Sequence, residues 1–349
     1  YKTKDGKDFR GGPSYYMEKA LGKRWMGVLF SVLLIICFAY GFNGLQSYNM
    51  SSALEYYIPG YSESSYPMIV GLILAVGTGL IIFGGVHRIG FITSVMVPIM
   101  AGAYLLMGLF TIVTHLPQLP GIFAMILSEA FDFQAIFGGM AGSAVVIGIK
   151  RGLFSNEAGM GSAPNAAASA SVSHPAKQGM VQVISVFIDT LLICSATAMM
   201  LLLSGVQGEA SVLDGIPFVQ KAISANVGTW GIHFITASIF AFAFSSLIGN
   251  YYYAESNILF IKNNKVLLFV FRCTCLLAVF LGAQADFSLV WNLADITMGC
   301  MAIVNIIAIL LLGNIALKVL KDYETQKKAG KNPVFKAENV GIKNTDCWK

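Results

Sequence analysis

The 349-residue chain is 56% hydrophobic and only 12% charged, and its 23 Lys and Arg against 18 Asp and Glu leave a net charge of +5. A soluble domain carries about 25% charged residues, so this composition, with a mean hydropathy of +0.69, excludes an ordinary soluble domain and points to a polytopic protein of the lipid bilayer. The basic residues cluster at the ends, seven between Lys2 and Arg24 and eight between Lys318 and Lys349. They flank apolar spans, which argues against a nucleic-acid partner and puts both termini in the cytoplasm by the positive-inside rule. Six cysteines without a C-x-x-C pair predict free thiols. The chain opens on Tyr1 without an initiator Met and reads as the middle of a longer protein.

Eight membrane spans are predicted. The first covers about 25–47 and carries Gly41, Asn43, Gly44 and Gln46 in its outer half. The loop over 49–66 holds acids but no Lys or Arg, which suits the outside. The second span covers 68–86, His87 and Arg88 mark a short inner turn, and the third covers 89–113 with Pro98 as a candidate kink. The stretch 115–139 again lacks Lys and Arg, with 122–131 as a candidate interfacial helix. The fourth span enters near Gly139. The fifth covers 180–203 with Asp189 and Thr190 at depth, and 205–231 is a polar outer loop. The sixth covers 232–252 and contains Ser245, Ser246 and Asn250. Lys262 and Lys265 mark an inner loop before the seventh, 266–283, where Arg272 is read as a snorkelling inner anchor. The eighth covers 289–312 with Asn292, Asp295 and Asn305. Eight crossings return the C-terminus to the side of the N-terminus. The domain reading is one membrane domain over 1–313, with a cytoplasmic segment at 1–24, and a basic cytoplasmic tail over 314–349.

The fourth span is not an ordinary one. From Gly152 to Asn165 it reads Gly-Leu-Phe-Ser-Asn-Glu-Ala-Gly-Met-Gly-Ser-Ala-Pro-Asn. Three glycines and a proline disfavour continuous helix, and Ser155, Asn156 and Glu157 are costly in hydrocarbon without partners. Irregular backbone at membrane depth is tolerated only where protein buries it or water reaches it. The run therefore predicts a broken helix whose freed backbone faces a cavity, the arrangement from which secondary transporters build substrate and ion sites. A cytoplasmic turn between two helices is the plainer alternative. Lys150 and Arg151 fit either placement: beside a mid-membrane break they need water or an acid such as Glu157, and beside an inner-surface break they sit in the cytoplasm.

This run resembles the signature of the alanine/glycine:cation symporter family, the sodium:alanine symporters. Supporting stretches are Phe-Arg-Gly-Gly-Pro at 9–13 with Tyr15 and Tyr16, Phe-Ile-Asp-Thr at 187–190, Phe-Ala-Phe-Ser-Ser at 242–246 with Tyr252 and Tyr253, and Val-Trp-Asn-Leu-Ala-Asp at 290–295. The resemblance implies an all-α, LeuT-like inverted-repeat fold of five plus five helices after one extra helix. The eight spans here would be repeat helices three to ten. The helices before them would include one broken at Gly-Thr-Gly-Asn that completes the site. It also implies a plasma-membrane symporter, not an enzyme, that moves small neutral amino acids (alanine or glycine) with sodium by alternating access. Carried over by position, Phe154, Ser155 and Asn156 line the substrate pocket, Gln46 contributes a pocket amide, and Ser246 and Asn250 wall it. The hydroxyls of Ser245 and Ser246 with the Phe242 carbonyl would bind sodium, a hard cation that prefers oxygen. Asn250 stands where alanine-selective members carry a tryptophan, which admits serine or glutamine as alternative substrates. A proton is the alternative coupling ion.

Each residue also has a plainer reading. Membrane serines often bond to a carbonyl one turn back. Gln46 can be interhelix glue, Asn250 a packing amide, Asp189 and Asp295 structural pairs, and Glu157 the partner of Lys150 or Arg151. An intramembrane enzyme is disfavoured because His87, His115, His174 and His233 lie at span ends or loops, with no H-E-x-x-H and no G-x-S-x-G. A channel is disfavoured by the lack of a repeated filter sequence.

Overall fold

The computed structural model describes residues 1–6, 8–84, 86–131, 140–206 and 214–348, without the side chains of 86–93 and 140–145. The end of the predicted 115–139 stretch, from 132 on, and with it the fourth span's entry near Gly139, lies outside the described residues. A short antiparallel hairpin, β1 (Thr3–Asp5) and β2 (Asp8–Arg10), opens the chain. Helices follow: α1 (Pro13–Lys19), α2 (Arg24–Ser52), α3 (Tyr66–Ile82), α4 (Val86–Thr114), α5 (Leu119–Ala130), α6 (Met140–Asn156) and α7 (Ala163–Ser169). The remainder are α8 (Pro175–Leu202), α9 (Gly215–Val227), α10 (Trp230–Ile261), α11 (Lys265–Gly282) and α12 (Phe287–Lys328). Among the described residues six helices, α2, α4, α8, α10, α11 and α12, are long and apolar enough to cross a membrane, and α3 is a shorter apolar helix. Large apolar side chains point outward along them; Leu310 is 76% exposed. That is the expected surface of a protein whose solvent is lipid.

The bundle is built around α2. Of its most apolar window 61% is buried, against 17–39% for the other five spans. Phe30, Leu34, Phe38 and Leu45 of α2 pack with Ile248 and Tyr251 of α10 and with Met298 and Met301 of α12. Both α2 and α8 contain a wider π-type stretch, Ile35–Phe42 and Ile188–Cys194, a feature that recurs where helices carry function. Helix α2 meets α11 backbone to backbone. A Cβ added at Gly282 would fall 2.5 Å from the Gly44 carbonyl oxygen, so only glycine fits this crossing.

Both ends of the chain pack at one end of the bundle. Helix α12 runs on to Lys328, and the chain then returns in extended form, burying Pro333, Phe335 and Ala337 and exposing Val334 and Lys336, the period-two pattern of a docked strand. The Phe335 amide donates to the Ser173 carbonyl at 2.9 Å, and Lys19 pairs with Asp346 at 2.5 Å. The Lys2 ammonium lies 4.9 Å from the centre of the Trp348 ring.

Several sequence expectations change. The loop predicted over 205–231 contains α9, whose Ile216, Val219, Ile223 and Val227 recur at helical spacing and pack with Tyr104, Met200 and Ile235. Arg272 does not snorkel: its guanidinium donates to the Tyr251 hydroxyl at 2.8 Å and to Glu255 at 3.1 Å. His87 and Arg88 fall in the first turn of α4, not in a connecting turn. The helix predicted over 122–131 is present as α5, and α4 runs through Pro98.

Replacing Gly282 with Ala is expected to lower stability by about 1–3 kcal/mol, the usual cost of overpacking. Gly313→Ala, where an added Cβ meets nothing within 4 Å, serves as the control. Thermal denaturation of the detergent-purified protein is the check, and equal melting of the two variants contradicts the close crossing.

Candidate functional site

Helix α6 stops at Asn156 because the next residues adopt backbone conformations that no helix continues. Glu157 has φ 55, Gly159 has φ 81 and Gly161 has φ 97. The left-handed region suits glycine but costs another residue roughly 1–2 kcal/mol. Glu157 is held there by its amide, which donates to the Leu153 carbonyl at 3.1 Å, and by its carboxylate, which accepts the Ser162 hydroxyl at 2.5 Å. Gly161 is required on a second ground. A Cβ there would lie 2.8 Å from Asn305 Cγ and 2.9 Å from the Phe30 ring.

The freed backbone is paired by side-chain amides, Asn165 from the adjoining α7 and Asn305 from the distant α12. Asn165, 1% exposed, donates to the carbonyls of Gly161 at 3.1 Å and Ser162 at 2.9 Å. Its Oδ1 accepts from Asn257 Nδ2 of α10 at 3.0 Å. Asn257 Oδ1 in turn accepts the hydroxyls of Ser14 at 2.5 Å and Ser31 at 3.0 Å. On the other side Asn305 of α12 donates to the Gly159 carbonyl at 2.8 Å and accepts the Tyr16 hydroxyl. Residues of α1, α2, α10 and α12 thus converge on a six-residue interruption between Asn156 and Ala163.

The interruption faces a cavity of about 740 Å³, within the size range of small-molecule sites. Ser155, Asn156, Glu157 and Gly159 line it together with Gln178, Gln182 and Asp189 of α8. Tyr253 and Asn305 also face it, as do Lys2 and Trp348, so it lies near the end of the bundle where the two chain ends meet. Across it the Ser155 hydroxyl donates to Asp189 Oδ2 at 2.6 Å and lies 3.0 Å from Cys194 Sγ. Asn156 Nδ2 donates to Thr190 Oγ1 at 3.2 Å, and Asn156 Oδ1 accepts the Ala158 amide at 3.0 Å. All three partners on α8 belong to its π stretch.

Of the sequence-predicted site residues, Ser155 and Asn156 meet in this cavity and the others do not line it. Phe154 turns to the other side of α6, with ring centres 4.9 Å from Phe42 and 5.2 Å from Trp291. Gln46 is half-buried on α2, one turn beyond Phe42. Phe242, Ser245, Ser246 and Asn250 form a separate group on α10. The Ser245 hydroxyl donates to the Phe242 carbonyl at 2.8 Å. Asn250 is 5% exposed, and among the described residues its Nδ2 has no hydrogen-bond partner. Glu157 is not the partner of Lys150 or Arg151, because its left-handed backbone turns it towards Ser162. Asp295 of α12 takes both cations instead, Lys150 at 3.7 Å and Arg151 in direct contact. Arg151 also lies over the Trp291 ring at 4.3 Å. Among the described residues no three His, Cys, Asp or Glu side chains converge as a metal site.

The sequence reading did not single out Asn165, Asn257 or Tyr16 as scaffold, and left Asn305 without a role. The available signal was an amide deep in an apolar run, which must find a partner. Asn257→Ala strands Asn165 Oδ1 and removes the acceptor of two buried hydroxyls, so about 1–3 kcal/mol of stability should be lost. Melting of the purified variant reads this directly, and a wild-type melting temperature would show that Asn257 does not hold the interruption.

Comparison with known proteins gives a consistent picture. The model of the sodium:alanine symporter family matches residues 1–337. The amino-acid carrier protein AlsT of Bacillus subtilis is 47% identical over 350 residues, covering 100% of this chain and 74% of its own length. The probable sodium/glutamine symporter GlnT of the same organism is 47% identical over 349 residues, 100% of this chain and 72% of its own. The sodium/alanine symporter AgcS of Methanococcus maripaludis is 34% identical over 336 residues, 95% of this chain and 74% of its own.

Proposed function

The chain belongs to the sodium:alanine symporter family, and from that premise we propose that it carries a small neutral amino acid together with sodium across the plasma membrane by alternating access. It is a transporter and not an enzyme. The observation that carries the proposal is the interruption after α6, whose backbone is paired by Asn165 and Asn305, with Asn257 holding Asn165, and which lines a cavity. A broken helix over a cavity is the means by which inverted-repeat transporters expose backbone to a charged substrate. The LeuT-like arrangement of five plus five helices, with both ends of this chain cytoplasmic, is part of the proposal. The basic ends support that orientation.

For the substrate we propose Ser155 and Asn156 at the cavity, with Phe154, Gln46, Ser246 and Asn250 closing the pocket when the bundle rocks. The contact of Phe154 with Phe42, one turn from Gln46, supports grouping these two. Sodium is assigned to the hydroxyls of Ser245 and Ser246 and the Phe242 carbonyl. The Ser245 hydroxyl donates to that carbonyl at 2.8 Å, so sodium binding would turn this proton away and let both oxygens face the ion. Glutamine is a second substrate reading. It is favoured by the buried Asn250 amide with its unpartnered nitrogen, and a relative equally similar to AlsT is named a probable sodium/glutamine symporter.

Labelled uptake into proteoliposomes of the full-length protein tests both assignments. Ser246→Ala should raise the half-saturating sodium concentration roughly tenfold, the effect of losing one ligand worth about 1.5–3 kcal/mol. Unchanged sodium dependence in both Ser245→Ala and Ser246→Ala removes the ion assignment, and uptake driven by a pH gradient alone would make the proton the coupling ion. Asn250→Trp should abolish competition by glutamine while sparing alanine and glycine, since overfilling a packed site costs about 1–3 kcal/mol. The same substrate ranking in variant and wild type would show that Asn250 does not wall the pocket.

A further inference from the structure

Asp189 holds the key to how the cavity reads charge. A serine hydroxyl has one proton to donate and two lone pairs. The proton of Ser155 is committed to Asp189 Oδ2 at 2.6 Å. With that proton used, the 3.0 Å contact of Ser155 with Cys194 Sγ is a thiol donating to the hydroxyl, which occupies one lone pair. What Ser155 presents to the cavity is therefore a single lone pair, and Asp189, itself on the cavity wall, adds an acceptor-only carboxylate beside it. Neither can receive an anionic group favourably. Asn156 next to it keeps a donor: Thr190 takes one Nδ2 proton and the Ala158 amide engages Oδ1, which leaves the second Nδ2 proton free by count.

We propose that Asp189 is a positioning residue which fixes Ser155 as a hydrogen-bond acceptor, so that the Ser155 end of the cavity seats a monovalent cation, the substrate ammonium or a coupled sodium ion, and the substrate carboxylate points away from it towards Asn156. The inference rests on the symport reading and deepens it, because it sets which end of a zwitterion lies at which wall. The sequence gives no hint of the pairing. Ser155 and Asp189 are 34 residues apart, and only the packing of α6 against the π stretch of α8 brings them together. A carboxylate at membrane depth without a basic partner is costly. The hydroxyl of Ser155 offsets part of that cost, and a bound cation would offset more.

The test is binding, measured by calorimetry on the full-length detergent-purified protein, with uptake recorded in parallel. Wild type, Asp189→Asn, Asp189→Ala, Ser155→Ala and the double variant Ser155→Ala/Asp189→Asn are titrated with L-alanine at saturating sodium, and with sodium at saturating alanine. Asp189→Asn and Asp189→Ala should each weaken one of the two ligands by about tenfold or more, the effect of removing a hydrogen bond to a charged partner. Loss confined to the alanine titration identifies the ammonium as the occupant, and loss confined to sodium identifies the ion. Because Asp189 orients Ser155 as well as facing the cavity itself, the loss in the double variant should be smaller than the sum of the two single losses. A merely structural Asp189 would lower melting without that non-additivity. Both affinities within twofold of wild type in the Asp189 variants, or losses that add in the double variant, overturn the proposal. Binding that behaves as expected in a protein without sodium-driven uptake would leave this assignment standing and remove the symport reading instead.

Discussion

The structure depends on how an apolar bundle accommodates six residues of irregular backbone. Carbonyls and amides released between Asn156 and Ala163 have no water to turn to on their packed side, and each one left unpaired there costs about 1–3 kcal/mol. Three asparagines resolve this. An asparagine side chain carries both an acceptor and donors, so Asn165 can hold two carbonyls with its nitrogen and be held by Asn257 through its oxygen. Asn305 repeats the logic from α12, between the Gly159 carbonyl and the Tyr16 hydroxyl. The packed side of the interruption is thereby satisfied by protein, and the other side faces the cavity.

That division explains the rest of the site. Glu157 and Gly161 take left-handed conformations because neighbours fix them there, and strain of this kind persists only where surrounding structure over-determines it. The facing wall is the π stretch of α8, which supplies Asp189, Thr190 and Cys194 to the two residues that end α6. Behind α6, Asp295 ties Arg151 and Lys150 to α12, with Trp291 and Phe154 packed around them. The cavity is lined not by these residues but by a set that includes Lys2 and Trp348.

Much of this was legible in the sequence where the signal is local. Glycine, proline and polar residues crowded into one apolar span announce a broken helix whatever its partners, and every predicted span has a helix in the structure. Partner choice was not legible, because it is set by packing between segments far apart in the chain. Glu157 is six residues from Arg151, yet Asp295 takes the cation. Arg272 reads as an anchor at a span end until α10 brings Tyr251 and Glu255 against it. Helix α9 was hidden because its apolar stripe is narrow and its other face is polar enough to read as loop. Gln46, Ser245, Ser246 and Asn250 were marked by family resemblance and not by any local pattern, and none of them lines the cavity.

An interruption that water and ligand reach at the end of the bundle where the chain termini meet must be open to a small polar reagent. A single cysteine at Ala158, in a background with the six native cysteines replaced by serine, tests it in oriented membrane vesicles with a membrane-impermeant thiol reagent. Labelling is expected from the cytoplasmic side and should slow when sodium and alanine are present together. Labelling only from the opposite side, or none under any condition, would contradict it.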